Sequence, residues 1–220
     1  MTTPGGQRKD AGHARYTYRL RVSSTAHTAL LAEWDRCRWV WNECVAKSRQ
    51  VHQHNKPHPS DKLTCGPAQL DKMLTEARAC TPWLREGASV PQQQTIRDFA
   101  KARAKALKDI EKRLPVRQRA GMPRHKKKRE ADPTLNYTTR GFQLKDGRLH
   151  LAGGIVLTVV WSRDLPSAPS SVRVYRDSLG HWYASFVVIT EVQPLPKTGA
   201  VIGVDWGVKE TATTTSDAHD

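Results

Sequence analysis

Ile202-Gly203-Val204-Asp205-Trp206-Gly207-Val208-Lys209-Glu210-Thr211-Ala212-Thr213-Thr214 carries an acid to the end of an apolar, β-branched run and follows it with glycine. Residues 200–204 and 208–215 both have strand character, and their spacing predicts neighbouring strands joined by a tight turn at Trp206-Gly207. A carboxylate among buried apolar residues costs several kcal/mol to desolvate unless a cation compensates, and a hard divalent ion such as Mg²⁺ does so. The other reading of Asp205 is a turn aspartate bonded to its own backbone. The rest of the chain has to decide between them.

Working outward, the charge comes first. The 220 residues carry a formal net charge of +15 with 38% hydrophobic side chains, enough apolar material for a core and an excess of cations that implies a polyanionic partner. The excess is uneven. Residues 190–220 hold Lys197 and Lys209 against Glu191, Asp205, Glu210, Asp217 and Asp220, so the basic surface and the acidic strand are separate devices. Between Arg97 and Arg129 fourteen Lys or Arg face only Asp98, Asp109 and Glu111. Within that run Arg103, Lys105, Lys112, Arg113, Arg117, Arg119, Arg124, Lys126, Lys127, Lys128 and Arg129 are the candidate phosphate contacts, because unbalanced cations along a helix and its continuation suit a nucleic-acid backbone.

Upstream, Arg15 to Val22 alternates strictly, with Tyr16, Tyr18, Leu20 and Val22 on one face and arginines and Thr17 on the other, a half-buried strand. From Thr25, read as an N-cap, Leu30, Trp34, Cys37, Trp41 and Cys44 recur at helical spacing to about Gln50, so Cys37 and Cys44 read as core thiols and the tryptophans as packing. His52 to Ser60 reads as a polar linker rather than a zinc loop. A short helix is expected from Pro67 to Cys80, and a longer one from a Ser89 cap to Pro115, with Ile96, Phe99, Ala106, Leu107, Ile110 and Leu114 inward. Beyond Thr134 the pattern turns to β: strands over 135–144, 148–151, 155–161, 171–176 and 182–189, with turns at Lys145-Asp146-Gly147 and Asp177-Ser178-Leu179-Gly180.

These elements predict an α+β chain. Residues 1–14 are a disordered lead-in, residues 15–24 the first strand of a small antiparallel β-barrel, 25–130 a helical insertion with a basic face, 131–193 the rest of the barrel, and 194–220 the start of a further domain reached through a Pro194, Pro196, Gly199 linker. No run approaches the roughly 18 to 20 apolar residues of a membrane span, and the first residues lack a secretory core, so a cytoplasmic, nucleoid-associated protein is expected.

Taken in order, Tyr18-Arg19-Leu20, then Cys37-Arg38-Trp39-Val40-Trp41-Asn42, then Pro123-Arg124-His125-Lys126, then the Asp205 strand resemble the N-terminal half of the TnpB (OrfB) proteins of bacterial insertion sequences, relatives of the type V CRISPR nucleases. That order sets aside the sugar kinases and actin-like ATPases, which open with a similar strand, acid and glycine. The resemblance covers residues 15–215 and implies an RNA-guided DNA endonuclease. Its barrel would be an OB-like wedge, its insertion a recognition module, and its last residues the first strands of an RNase H-like (RuvC) domain. Asp205 would be the first of three catalytic acids, in whose complete site two Mg²⁺ ions activate water and stabilise the leaving oxygen. The implied partners are a guide RNA and a target DNA, read by pairing and by duplex shape, with neither a membrane nor a small-molecule cofactor. The chain stops fifteen residues after Asp205, ahead of the family's other two acids and the Cys pairs of its zinc insert. The expectation is therefore a truncated copy or fragment that does not cleave alone, the alternative being a non-catalytic nucleic-acid-binding module or regulator of transposition.

Overall fold

A computed structural model describes residues 11–191 and the backbone of two further short strands, Val204–Asp205 and Thr213–Thr214. Strand β1 (Ala11–Arg21) keeps the alternation of its sequence: Tyr18 and Leu20 are buried, while Arg15, Thr17, Arg19 and Arg21 are exposed. Six more strands follow the helices: β2 (Thr134–Thr138), β3 (Phe142–Lys145), β4 (Arg148–Leu151), β5 (Ile155–Val159), β6 (Ser171–Arg176) and β7 (Trp182–Glu191). They form one sheet in the order β2-β6-β7-β1-β5-β4-β3. The first strand of the chain thus lies at the centre of the sheet, and everything between β1 and β2 is inserted into a sheet already begun. The two edge strands, β2 and β3, are consecutive in sequence and joined by a single 3₁₀ turn, so the antiparallel sheet curls into a nearly closed barrel.

That corner corrects the single strand expected over 135–144. A Cβ on Gly141 would stand 2.8 Å from Val90 Cγ1 and 3.0 Å from the Tyr137 ring, so only glycine lets the backbone pass there, and the chain bends. The β3–β4 turn is as predicted: Asp146 and Gly147 have φ of 50° and 69°, the two left-handed residues of a two-residue hairpin.

Helix α1 (Ser24–Asn55) starts one residue before the expected cap, with Ser23 accepting a hydrogen bond from Ala26 N at 3.2 Å, and runs five residues past Gln50. It takes in His52 and His54, which the sequence reading placed in a linker, because no helix breaker occurs before Pro57. Helix α2 (Pro67–Cys80) has the predicted bounds, and a one-turn α3 (Pro82–Glu86) follows. Helix α4 spans Ser89–Glu111 with Ala88, not Ser89, at the cap; its N–H donates to the buried Glu33 carboxylate at 3.1 Å. Arg36 pairs with the same carboxylate at 2.8 Å, and burial still pushes Glu33 above the usual carboxylate range.

Among the described residues there are two apolar cores. The barrel core gathers Tyr18, Leu20, Leu149, Leu157, Val174 and Phe186 and is capped by Leu30, Trp34 and Cys37 of α1. The helical core holds Val40, Cys44, Leu70, Leu84, Ile96 and Phe99. Burial pushes the Cys37 and Cys44 thiols up to about 12, as suits the core role expected for them. Helix α1 belongs to both cores. Strands β8 (Val204–Asp205) and β9 (Thr213–Thr214) pair antiparallel, Val204 opposite Thr214 and Asp205 opposite Thr213. The strands are neighbours as predicted, and the tight turn expected at Trp206-Gly207 lies outside the described residues. The expected lead-in and the Pro194 to Gly199 linker lie outside the described residues, apart from the lead-in's last residues, which belong to β1. No helix among the described residues is long and apolar enough to cross a membrane.

Candidate nucleic-acid interface

On α4, Arg97, Lys101, Lys105, Lys108 and Lys112 fall three or four residues apart and are all exposed, so they form one cationic stripe about 22 Å long. Three acids share this segment, fewer than its cations: Asp98 accepts from Asn136 Nδ2 at 2.6 Å, Asp109 accepts from Ala120 N at 2.8 Å, and Glu111 is exposed. Past the helix, residues 112–133 form a strap that returns to the barrel. Arg113, Arg117, Arg119, Arg124, Lys127, Lys128 and Arg129 are exposed along it. Arg119 donates to Leu114 O, Lys127 pairs with Glu130 at 2.7 Å, and Lys128 reaches Asp35 on α1 at 3.3 Å. At such exposed sites these ion pairs hold their lysines weakly and leave them free to meet phosphate.

Two residues of the predicted basic set are not free. Arg103 lies on the opposite side of α4, where its Nε donates to Ser48 Oγ at 2.9 Å and a guanidinium N–H donates to Cys65 O at 3.3 Å, bracing α4 against α1. Lys126 turns inward: its ammonium stands 4.1 Å from the Trp41 ring centroid and 5.1 Å from that of Trp34, and burial lowers its pKa. The aromatic faces replace water around the cation, so this lysine is an anchor rather than a phosphate contact. Its backbone is fixed as well. Lys126 N donates to Asn42 Oδ1 at 2.8 Å, Asn42 Nδ2 donates to Lys126 O at 3.2 Å, and Trp41 Nε1 donates to Arg124 O at 2.8 Å. The two short motifs of the sequence reading, Trp41-Asn42 and Arg124-His125-Lys126, are therefore halves of one lock.

The locked strap walls a cleft of about 480 Å³ between the C-terminal halves of α1 and α4. Leu107, Ile110 and Met122 line it while 41%, 46% and 42% exposed, a correction for the two α4 residues, which were expected in the core. Its rim carries Arg49, His52 and Arg124. Ending the helix at Gln50 puts His52 in a linker, which a breaker-based boundary at Pro57 avoids; Arg49 lies inside the predicted helix, and only the packing of α4 and the strap brings it to the cleft.

Asp205 is placed in β8, but its side chain lies outside the described residues. Among the described residues no three His, Cys, Asp or Glu side chains stand together as metal ligands.

No family model matches the chain. A Streptomyces pristinaespiralis protein named "Putative RNA-guided DNA endonuclease" is 32% identical over 134 residues, 60% of this chain and 31% of that one. A protein of Escherichia coli strain K12, named "Putative RNA-guided DNA endonuclease InsQ", is 29% identical over 202 residues, 90% of this chain and 46% of its own length. Over these spans the chain is similar to TnpB-like insertion-sequence proteins. The chain spans less than half the length of either relative, and the second match, over 90% of the chain, runs through most of the barrel and helical insertion described above.

Proposed function

We propose that the chain is the nucleic-acid-gripping portion of an RNA-guided DNA endonuclease associated with a transposable element. The barrel acts as the wedge, α1 to α4 as the recognition insertion, and residues 194–220 as the start of a RuvC-like nuclease domain. Its partners are a guide RNA and the target DNA, which places its work on the nucleoid. The observation that carries this reading is the cationic stripe of α4 continued by the strap, in which Asp98 and Asp109 are bonded to protein groups and the exposed Glu111 is far outnumbered by lysines and arginines. Asp205 is proposed as the first of the carboxylates that hold Mg²⁺ in such a nuclease. The described residues supply no ligand set for the ion, so no step of phosphodiester hydrolysis is assigned to them.

The test is a salt titration of binding to structured RNA, paired with a cleavage assay. If the stripe and strap neutralise roughly six to ten phosphates, affinity falls by about 10³ to 10⁵ between about 50 and 200 mM salt. A flat titration would overturn the reading. The 220-residue polypeptide with the element's RNA and Mg²⁺ is expected to leave target DNA uncut, and Asp205→Ala to leave RNA binding unchanged. Cutting that vanishes in that variant would show the carboxylate set completed within these residues or by a second copy.

A further inference from the structure

The cleft behind the strap combines features that a plain phosphate-binding surface lacks. On the side of α4 away from the lysine stripe, Leu107, Ile110 and Met122 hold apolar surface open to water beside Arg49, Arg103 and Arg124, a combination that marks a binding site rather than a scattered exposed side chain. No acidic residue lines the cleft, whereas Arg49 and Arg124 stand at its mouth. Its volume lies within the range of pockets that hold small organic groups. The wall formed by Met122 and Arg124 does not depend on a ligand, because the bonds of Trp41 and Asn42 to the strap fix it to α1.

A flat apolar heterocycle linked to an anionic backbone matches this arrangement. From it we infer that the cleft receives an unpaired base of a folded RNA, its ring against Leu107, Ile110 and Met122 and its flanking phosphates on Arg49 and Arg124. The inference rests on the proposed RNA-binding function and specifies which feature of the RNA is read. RNA is the fitting source because its loops and bulges present unstacked bases, while a DNA duplex keeps its bases stacked unless energy is spent to extrude one. His52 and Gln53, also on the cleft, bring polar groups within the reach of a 2′-hydroxyl or a base edge.

The test compares the full 220-residue chain on four hairpins read by fluorescence anisotropy: a fully paired RNA, the same RNA with one bulged nucleotide, that bulge made abasic, and the bulged sequence as DNA. The bulged RNA is expected to bind about tenfold tighter than the paired one, with the gain lost in the abasic and DNA hairpins. Leu107→Ser/Ile110→Ser should abolish the gain and leave affinity for the paired RNA and the melting temperature unchanged. Equal affinity for bulged and paired RNA would overturn the cleft assignment while the RNA-binding reading stands. An equal gain with bulged DNA would overturn the choice of RNA. A fall in melting temperature in the double variant without loss of the gain would show the apolar residues to be covered by protein, which also sinks the assignment. Failure of every hairpin to bind in a salt-dependent way would overturn the functional reading itself.

Discussion

Arg113 ends α4 with a φ of 55°, in the left-handed region where a side chain costs about 1 kcal/mol and glycine is the usual occupant. The local bonds explain the conformation: Arg113 N donates to Ile110 O at 2.9 Å and Leu114 N to Asp109 O at 3.2 Å, which closes the helix and turns the strap back towards α1. An arginine held there against its preference points to a role for its charge. Arg113→Gly is expected to raise stability by about 0.5 to 1 kcal/mol in denaturant titration and, in the same protein, to weaken RNA binding and reduce the salt slope by about 0.9. A stabler protein with unchanged binding would remove Arg113 from the interface. Exposure at this scale was legible in the sequence for the stripe on α4, where spacing alone puts the lysines on one face. It was not legible for Arg103 and Lys126, since a lysine selected by two tryptophans more than eighty residues away looks, in a linear run, like any other lysine.

Elements were readable where their periodicity was strong and local. The bounds of α2, the hairpin at Asp146-Gly147 and the inward face of β1 follow from the sequence because each depends on neighbours in the chain. The break between β2 and β3 does not, for it exists only because Val90 of α4 comes to lie over Gly141. The same dependence sorts two glycine substitutions. Gly141→Ala forces its Cβ into Val90 and Tyr137 and should cost about 1 to 3 kcal/mol. Gly121→Ala, on a stretch of strap where nothing stands within 4 Å of the added atom, should be close to neutral. Thermal or denaturant unfolding of the two variants side by side measures this, and equal costs would mean that the corner can relax. The cleft escaped the sequence for a related reason: Leu107 and Ile110 obey the apolar spacing of α4, but α1 and the strap leave a gap where that spacing predicts a wall.

Within Gly12–Thr190, the barrel and the helices share one long element. Because α1 contributes Leu30, Trp34 and Cys37 to the barrel core and Val40, Cys44 and Val45 to the helical core, neither core can lose its packing without disturbing the other. A single cooperative transition is therefore expected for this unit, with far-ultraviolet circular dichroism and tryptophan fluorescence giving the same midpoint. Two separated midpoints would show that α1 unfolds in halves. The central place of β1 has a consequence for synthesis. Leu20 pairs with Val159, about 140 residues further along the chain, so at about 5 to 20 residues per second a ribosome needs roughly 7 to 28 s to deliver the partner. Throughout that interval β1 is a strand with both edges unmet, the state most prone to pairing with another nascent copy. Arg15, Arg19 and Arg21, which in the finished barrel only face solvent, are the charges that hold such copies apart until β5 arrives.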